Sequence, residues 1–304
     1  MNKNAKLVGN KDLSEILFEI LKNIIIVVFV IACIYPFYYV IIYSLSDPDK
    51  AQYGIWLWPV DFTLDTYIMI FERNDIIPAF GISVLRTVIG TVTSVFCTSL
   101  LAFLMTRKEM PFRKVVYRFI IITMYLDAGL IPWYIVMKTY GLQNNFLLYV
   151  VPSAISAYNM ILIKTFMEQL PESLEEAAAI EGAGFFDIFF RIVLPLSKPI
   201  IATISVYCAV GQWNSWRDNF FLNTDRSLKT VQLILREYIT SAQKVAEAME
   251  NNPALAQQLG NAVQITPEAV QMTVVVITMV PVMLVYPFAQ KYFTKGIMLG
   301  AVKG

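Results

Sequence analysis

Apolar residues in this chain gather into uncharged runs, not into the alternating or 3.6-residue stripes of a water-soluble fold. A run of about twenty residues crosses ~30 Å of hydrocarbon at ~1.5 Å per helical residue. Six such spans are predicted. They are 23–46, with Pro36 as a kink; 87–106; 119–137, interrupted by Asp127; one within 139–163; 199–216; and 269–290. Ahead of the first, Asp12 and Glu15 form a capping-box pattern. Leu13, Ile16, Leu17, Ile20 and Leu21 share one helical face there, which predicts a short amphipathic helix lying on the membrane surface within 1–22. The apolar run that follows is too long for a cleaved signal peptide and lacks a small-residue cleavage site. The expected fold class is an all-α integral membrane protein.

Charge then orients the spans. Of 304 residues, 57% are hydrophobic and 15% charged, against about 25% charged in a soluble chain. The connector after the second run carries Arg107, Lys108, Arg113, Lys114 and Arg118, and both ends of the chain are lysine-rich. The connector 47–86 is mainly acidic. Positive charge stays inside, so both termini and the loop 168–199 are expected in the cytoplasm. The polar loop 217–268 is expected outside, with helices at 228–238 and 241–249 and a break at Asn251-Asn252-Pro253. Tyr53, Trp56 and Trp58 suit an interfacial anchor. The domain reading is therefore 1–22 as a cytoplasmic segment, 23–290 as the membrane domain and 291–304 as a cytoplasmic tail.

Composition also excludes. A net charge of +1 gives no reason to expect nucleic acid. The chain has no histidine, the usual general base and metal ligand. Cys33, Cys97 and Cys208 lie in separate apolar runs, spaced for neither disulfides nor a metal cage. No GxxxxGK[ST], HExxH or GxSxG pattern occurs. A membrane-embedded enzyme is accordingly disfavoured, and any nucleotide-driven step belongs to another subunit.

The most structured local signal is 171–199, PESLEEAAAIEGAGFFDIFFRIVLPLSKP. Pro171 suits a first helical position, and Glu172, Glu175 and Glu176 complement the positive end of a helix dipole. Ala177 to Ala179 leave a thin wall that another surface can approach closely. Gly182 and Gly184 end the helix, and a second helical run from Phe185 stops at Pro195. Helix, turn, helix: on its own this is an amphipathic hairpin at the membrane surface.

Glu176, Ala177, Ala178, Gly182, Ile192, Leu194 and Pro195 resemble, in identity and spacing, the EAA loop of permease subunits of bacterial ATP-binding-cassette importers. Glu181 stands where that family more often has Asp. The resemblance extends over about residues 15–304 and is closest to carbohydrate permeases of the maltose-transporter type, in the oligosaccharide branch. It implies a type I importer permease fold with six transmembrane helices in the bacterial plasma membrane. It also implies an ATPase-coupling role for Glu176, Ala177, Ala178, Glu181, Gly182, Ala183, Leu194 and Pro195. The implied partners are a second permease in a heterodimer, a homodimeric ATP-binding subunit that holds ATP and Mg, a lipid-anchored extracellular solute-binding protein, and an oligosaccharide. No cofactor is expected in this chain. The loop 217–268 and the tail 290–304 take the positions that approach the binding protein and the ATPase pair in relatives.

Candidate pathway residues lie elsewhere. Asp127 inside an apolar run costs at least ~2.5 kcal/mol unless solvated or paired, and Gly129 and Pro132 beside it suggest a broken helix lining a wet cavity. Packing or protonated burial is the other reading. Gln212, Trp213, Asn214 and Trp216 combine flat apolar faces with amides, as a sugar site requires, although tryptophans at this level also form interfacial belts. Tyr158 and Asn159 are further candidates for the same cavity. The competing function is a secondary transporter driven by an ion gradient, with Asp127 carrying the proton; no inverted repeat supports it.

Overall fold

The computed structural model describes residues 13–55, 57–72, 75–251 and 266–301. Apart from one isolated bridge, Ser46 to Phe62, the described residues form helices, turns and loops. The chain divides into two compact units, 1–67 with 245–276, and 68–244 with 277–304.

In the first unit, α1 (Leu13–Ser44) runs unbroken through Pro36. The surface helix expected before residue 23 is therefore continuous with the first span, because no capping or breaking residue separates them. The apolar side chains of α1 from Ile16 to Phe37 are exposed. Asp47 caps α2 (Pro48–Ala51), accepting from the amides of Asp49 and Lys50 at 3.1 and 3.2 Å. Ile42, Tyr43, Ala51, Ile55 and Ala269 make a small core here. Trp56, expected among the interfacial aromatics, lies outside the described residues; Tyr53 and Trp58 are exposed. A short α3 (Asp65–Glu72) follows.

The second unit is built on α4 (Ile76–Thr106). Its buried face carries small residues at intervals of seven and then four residues: Ser83, Gly90, Ser94, Thr98 and Ala102. Small side chains let neighbouring helix backbones come close, and α7 (Ala157–Met167) and α11 (Lys198–Asn214) pack along this helix. Between them in sequence come α5 (Arg113–Tyr125), α6 (Leu130–Thr139), α8 (Glu172–Ile180), α9 (Phe185–Asp187), and α10 (Leu194–Leu196). Beyond α11 follow α12 (Arg217–Leu222), α13 (Val231–Asn251) and α14 (Pro267–Ala301).

Among the described residues three helices are long and apolar enough to cross a membrane: Ser14–Ser44, Ile76–Thr106 and Pro267–Pro287. A fourth candidate is the pair Phe185–Leu196 and Lys198–Asn214, bent by 82°. The third span is broken where Asp127 and Gly129 suggested, and the fourth, expected whole, is broken too. In the third, Asp127 Oδ1 accepts from the Gly129 amide at 2.9 Å, and Gly129 takes a φ of +78°, ending one helix before the next begins. In the fourth, helix is interrupted between Thr139 and Ala157, leaving an α7 of 11 residues. That covers only ~16 Å at the helical rise. In the 217–268 loop the two helices expected at 228–238 and 241–249 are one continuous α13, and 252–265, with Pro253, lies outside the described residues.

Candidate functional site

The hairpin over 171–196 folds as its composition dictates. Pro171 occupies the N-cap, one position earlier than expected, with ψ of 121°. Gly182 has φ of +86°. Its amide donates to Ala179 O at 3.0 Å and the Ala183 amide to Ala178 O at 2.9 Å. This paired closure of the last carbonyls is the Schellman turn, which favours glycine at the left-handed position. The second arm does not stop at Pro195. Ile188–Val193 winds as a π-helix in which the Leu194 amide reaches back to Phe189 O. Pro195 has no N–H for the preceding turn, which suits a widened helix there. The helix resumes to Leu196 and bends at Ser197.

Outward, the hairpin is apolar and thin. Ile180 is 88% exposed and Phe186 62%; Glu176, Ala177, Glu181 and Gly182 are exposed, and Ala178, Ala183, Leu194 and Pro195 half-buried. Inward, it meets basic residues at the end of α4. Arg107 pairs with Glu175, and Lys108 with Glu172 at 3.3 Å. Glu176 joins these groups in lining a polar cleft of about 560 Å³. The glutamates read from sequence as dipole partners thus also meet cations.

A second polar cleft, of about 430 Å³, lies between α4, α7 and α11, where Trp133, Tyr149, Ser153, Asn159, Cys208 and Gln212 are among its lining residues. Its wall is fixed by Arg86, whose side chain is 3% exposed. Arg86 donates from Nε to Gln212 Oε1 at 3.0 Å, from Nη1 to Asp218 Oδ1 at 3.1 Å and to the Ser215 carbonyl at 3.2 Å, and from Nη2 to Asp218 Oδ2 at 2.5 Å. A forked, two-bond pair suits a guanidinium removed from water. Its carbon lies 4.6 Å from the centre of the Tyr149 ring. Tyr149 Oη donates to Leu228 O at 2.6 Å and accepts from Asn223 Nδ2 at 2.8 Å and from Asn219. Gln212 Nε2 donates to Ser153 Oγ at 2.6 Å and Tyr149 O at 3.2 Å. Gly90 makes room for that amide: a Cβ there would stand 2.6 Å from Gln212 Nε2. The Asn159 amide reaches Cys208 Sγ at 3.6 Å, and Cys208 in turn Ser94 at 3.7 Å.

Of the pathway candidates, Asn159 and Gln212 line this cleft and the others do not. Trp213 lines an apolar pocket, donating from Nε1 to Thr278 O at 3.1 Å with its ring edge-on to Phe80. Asn214 is exposed, and Trp216 lies beneath the Arg236 guanidinium at 3.6 Å. Consecutive helical residues step by about 100°, so Gln212, Trp213 and Asn214 face different ways, and Trp216 lies past the extended Ser215 that ends α11. Tyr158 and Asp127 are exposed. The aromatic faces in the cleft are Trp133 and Tyr149, neither singled out by sequence. Among the described residues no cluster of His, Cys, Asp and Glu could hold a metal.

Comparison with known proteins places this architecture. Residues 94–216 match the family model of the binding-protein-dependent transport system inner membrane component. The chain is 36% identical over 289 residues to the polygalacturonan/rhamnogalacturonan transport system permease protein YtcP of Bacillus subtilis (strain 168), covering 95% of this chain and 99% of that protein. The chain belongs to this permease family. Among other members, the melibiose/raffinose/stachyose import permease protein MelC of the same organism is 27% identical over 283 residues, covering 90% of this chain and 94% of that one. A solved structure, of a bacterial ABC transporter involved in the import of the acidic polysaccharide alginate, aligns with TM-score 0.79 and 27% identity over 94% of this chain and 100% of that chain. The family match begins at Ser94 and ends at Trp216, so it takes in the 171–196 hairpin and most of the cleft-lining residues. As a permease the chain is a membrane transport subunit, and the family reading prevails over an ion-gradient-driven carrier.

Proposed function

We propose that this chain is one permease half of an ATP-driven oligosaccharide importer of the bacterial plasma membrane, with both termini in the cytoplasm and its spans shared around a pathway formed with a second, different permease. A homodimeric ATPase, carrying ATP and Mg, grips α8, and a lipid-anchored binding protein delivers sugar from outside toward the 217–268 loop. The relatives named for polygalacturonan, raffinose and alginate transport support a multi-unit sugar as cargo. The observation that carries the reading is the exposed, alanine-walled α8 closed by Gly182, standing on a body that matches a solved importer permease.

Coupling follows from the form of the hairpin. A short helix with a thin apolar face seats in a cleft, and its fixed turn makes the two arms move together. Packed interfaces switch between discrete arrangements, so ATP-driven closure of the ATPase pair becomes a tilt of the spans. Within the cleft beside α4, Trp133 offers a flat face to sugar rings, and Asn159 and Ser156 offer polar contacts.

The test is uptake in cells and ATPase retention by the purified complex. Gly182→Val forces a β-branched residue into the left-handed region, and Glu176→Lys reverses charge beside Arg107. Both variants are expected to insert normally yet to lose uptake and ATPase retention. Uptake unchanged in both would remove the docking role.

A further inference from the structure

Docking alone does not carry a push on α8 to the cleft. The helix enters from 168–171 and leaves through the closed turn 181–184; it contributes no fully buried residue and touches the core beneath it through Ala178. A hairpin seated so shallowly would rock against the body as one piece. Its pair with Lys108 stands in open solvent, 76% and 77% exposed, where an ion pair restrains little. The pair with Arg107 differs: both side chains are about four-fifths buried, at 22% and 21% exposure. Arg107 is also the C-cap of α4. Its guanidinium lies 4.0 Å over the ring of Phe103, which is fully buried and meets Phe185 at 4.8 Å and Phe189 at 5.1 Å between ring centres. One residue at the end of α4 therefore holds the first arm of the hairpin by charge and touches the second through the ring beneath it. The same helix bears Ser94 and Arg86 in the cleft wall.

We propose that Arg107 is the positioning residue that passes movement of α8 into α4, and so into the cleft. The proposal rests on α8 being the ATPase-docking helix. A planar guanidinium can pair with a carboxylate at its edge while stacking on an aromatic face, which an ammonium cannot do equally. With Arg107 in place, α8 cannot tilt without dragging the end of α4. Without it, the hairpin rocks on its shallow seat and the end of α4 stays behind.

Cys208 reports the outcome without any sugar, since it lines the cleft against Ser94 of α4. In the purified complex with the partner permease and ATPase, its modification by N-ethylmaleimide is followed by mass spectrometry, with and without MgATP and orthovanadate. Wild type is expected to change rate severalfold on trapping, as the cleft passes between two discrete arrangements. Arg107→Ala and Glu175→Ala are expected to keep the ATPase bound and hydrolysis within about twofold, yet to lose that change; the double variant should be no worse than either, as for one coupled pair. Arg107→Lys should recover part of the response, and the swap Arg107→Glu with Glu175→Arg more than either single variant. A normal response in Arg107→Ala, or a swap as inert as the single variants, overturns the proposal while leaving docking intact. Loss of the ATPase from Arg107→Ala overturns it in favour of a docking or folding role. Absence of any nucleotide response in wild type would instead strike at the docking reading beneath it.

Discussion

The hairpin over 171–196 and the cleft beside α4 are built by opposite means. The hairpin takes its shape from contacts between near neighbours: a glycine turn closing on carbonyls five and three residues back from Ala183 and Gly182, after a helix with no fully buried residue. The cleft wall is held by contacts that jump along the chain, Arg86 to Asp218 across 132 positions and Tyr149 to Asn223 across 74. Locally specified structure can stand out from the body and remain shaped. A wall assembled from distant segments keeps its form only while every partner is present, because buried polar groups left single are costly. A transporter needs both kinds, a rigid handle and a wall whose segments move as one.

The largest effect should come from breaking the wall. Asp218→Ala leaves the Arg86 guanidinium, 3% exposed, without its carboxylate. Removing one partner of a buried pair costs about 3 kcal/mol or more. The thermal midpoint of the purified protein should fall sharply, while Asp218→Asn, which still accepts a bond, should fall less. If Asp218→Ala unfolded no earlier than the hairpin variants, the wall would not depend on its long-range pair.

Two glycines sharpen the contrast at smaller scale. Gly90→Ala drives a Cβ to 2.6 Å from Gln212 Nε2 and 2.7 Å from Cδ, and overpacking of this sort costs about 1–3 kcal/mol. Adding Gln212→Ala should return some of that stability by removing the obstruction, a coupling that a double-mutant cycle reads directly. Gly182→Ala meets nothing within 4 Å. Its cost is the left-handed backbone alone, about 1–2 kcal/mol, and no second substitution in the wall should relieve it.

The same contrast decides what could be read from the sequence. Pro171, the glutamates, the alanines and Gly182 specify α8 and its turn within a dozen positions, so the hairpin was legible almost to the residue. The long apolar helices were legible too, since length and lack of charge are all a span needs. Apolar length does not make a helix, however. The run 139–163 contains Gly141, Asn144, Asn145 and Pro152, and its helix shrinks to Ala157–Met167. Likewise Gln212 to Trp216 looked like one site because they adjoin in sequence, whereas the helical step turns Trp213 to Phe80, and Trp216, past the extended Ser215 that ends α11, lies under Arg236. Arg86 and Asp218 fell in different connectors, with nothing local to pair them. One signal was present: Arg86 is the lone charge in the 31 residues of α4, and a single charge in an apolar helix calls for a partner.

The smallest expected effect is a titration in the collar above the cleft wall. Asp225 caps the turn Arg226–Leu228, accepting from the Ser227 amide and hydroxyl, each at 2.9 Å. Those two bonds hold its carboxyl below the usual carboxylate range. A depressed folded value means that the turn's extra stability is present above the unfolded value and is lost as pH falls through the folded one. Leu228 O receives the bonds from Tyr149 and Asn219, so loosening this turn reaches the network around Arg86. Amide exchange at Ser227, corrected for its intrinsic pH dependence, should therefore lose protection only in acid, and Asp225→Asn should flatten the profile. The Gly182 and Ala183 amides, which donate to backbone carbonyls, should show no matching carboxylate-linked step. Should Ser227 stay protected well below the carboxylate range, packing and not charge fixes the turn, and the distinction between a titratable collar and an inert hairpin turn falls away.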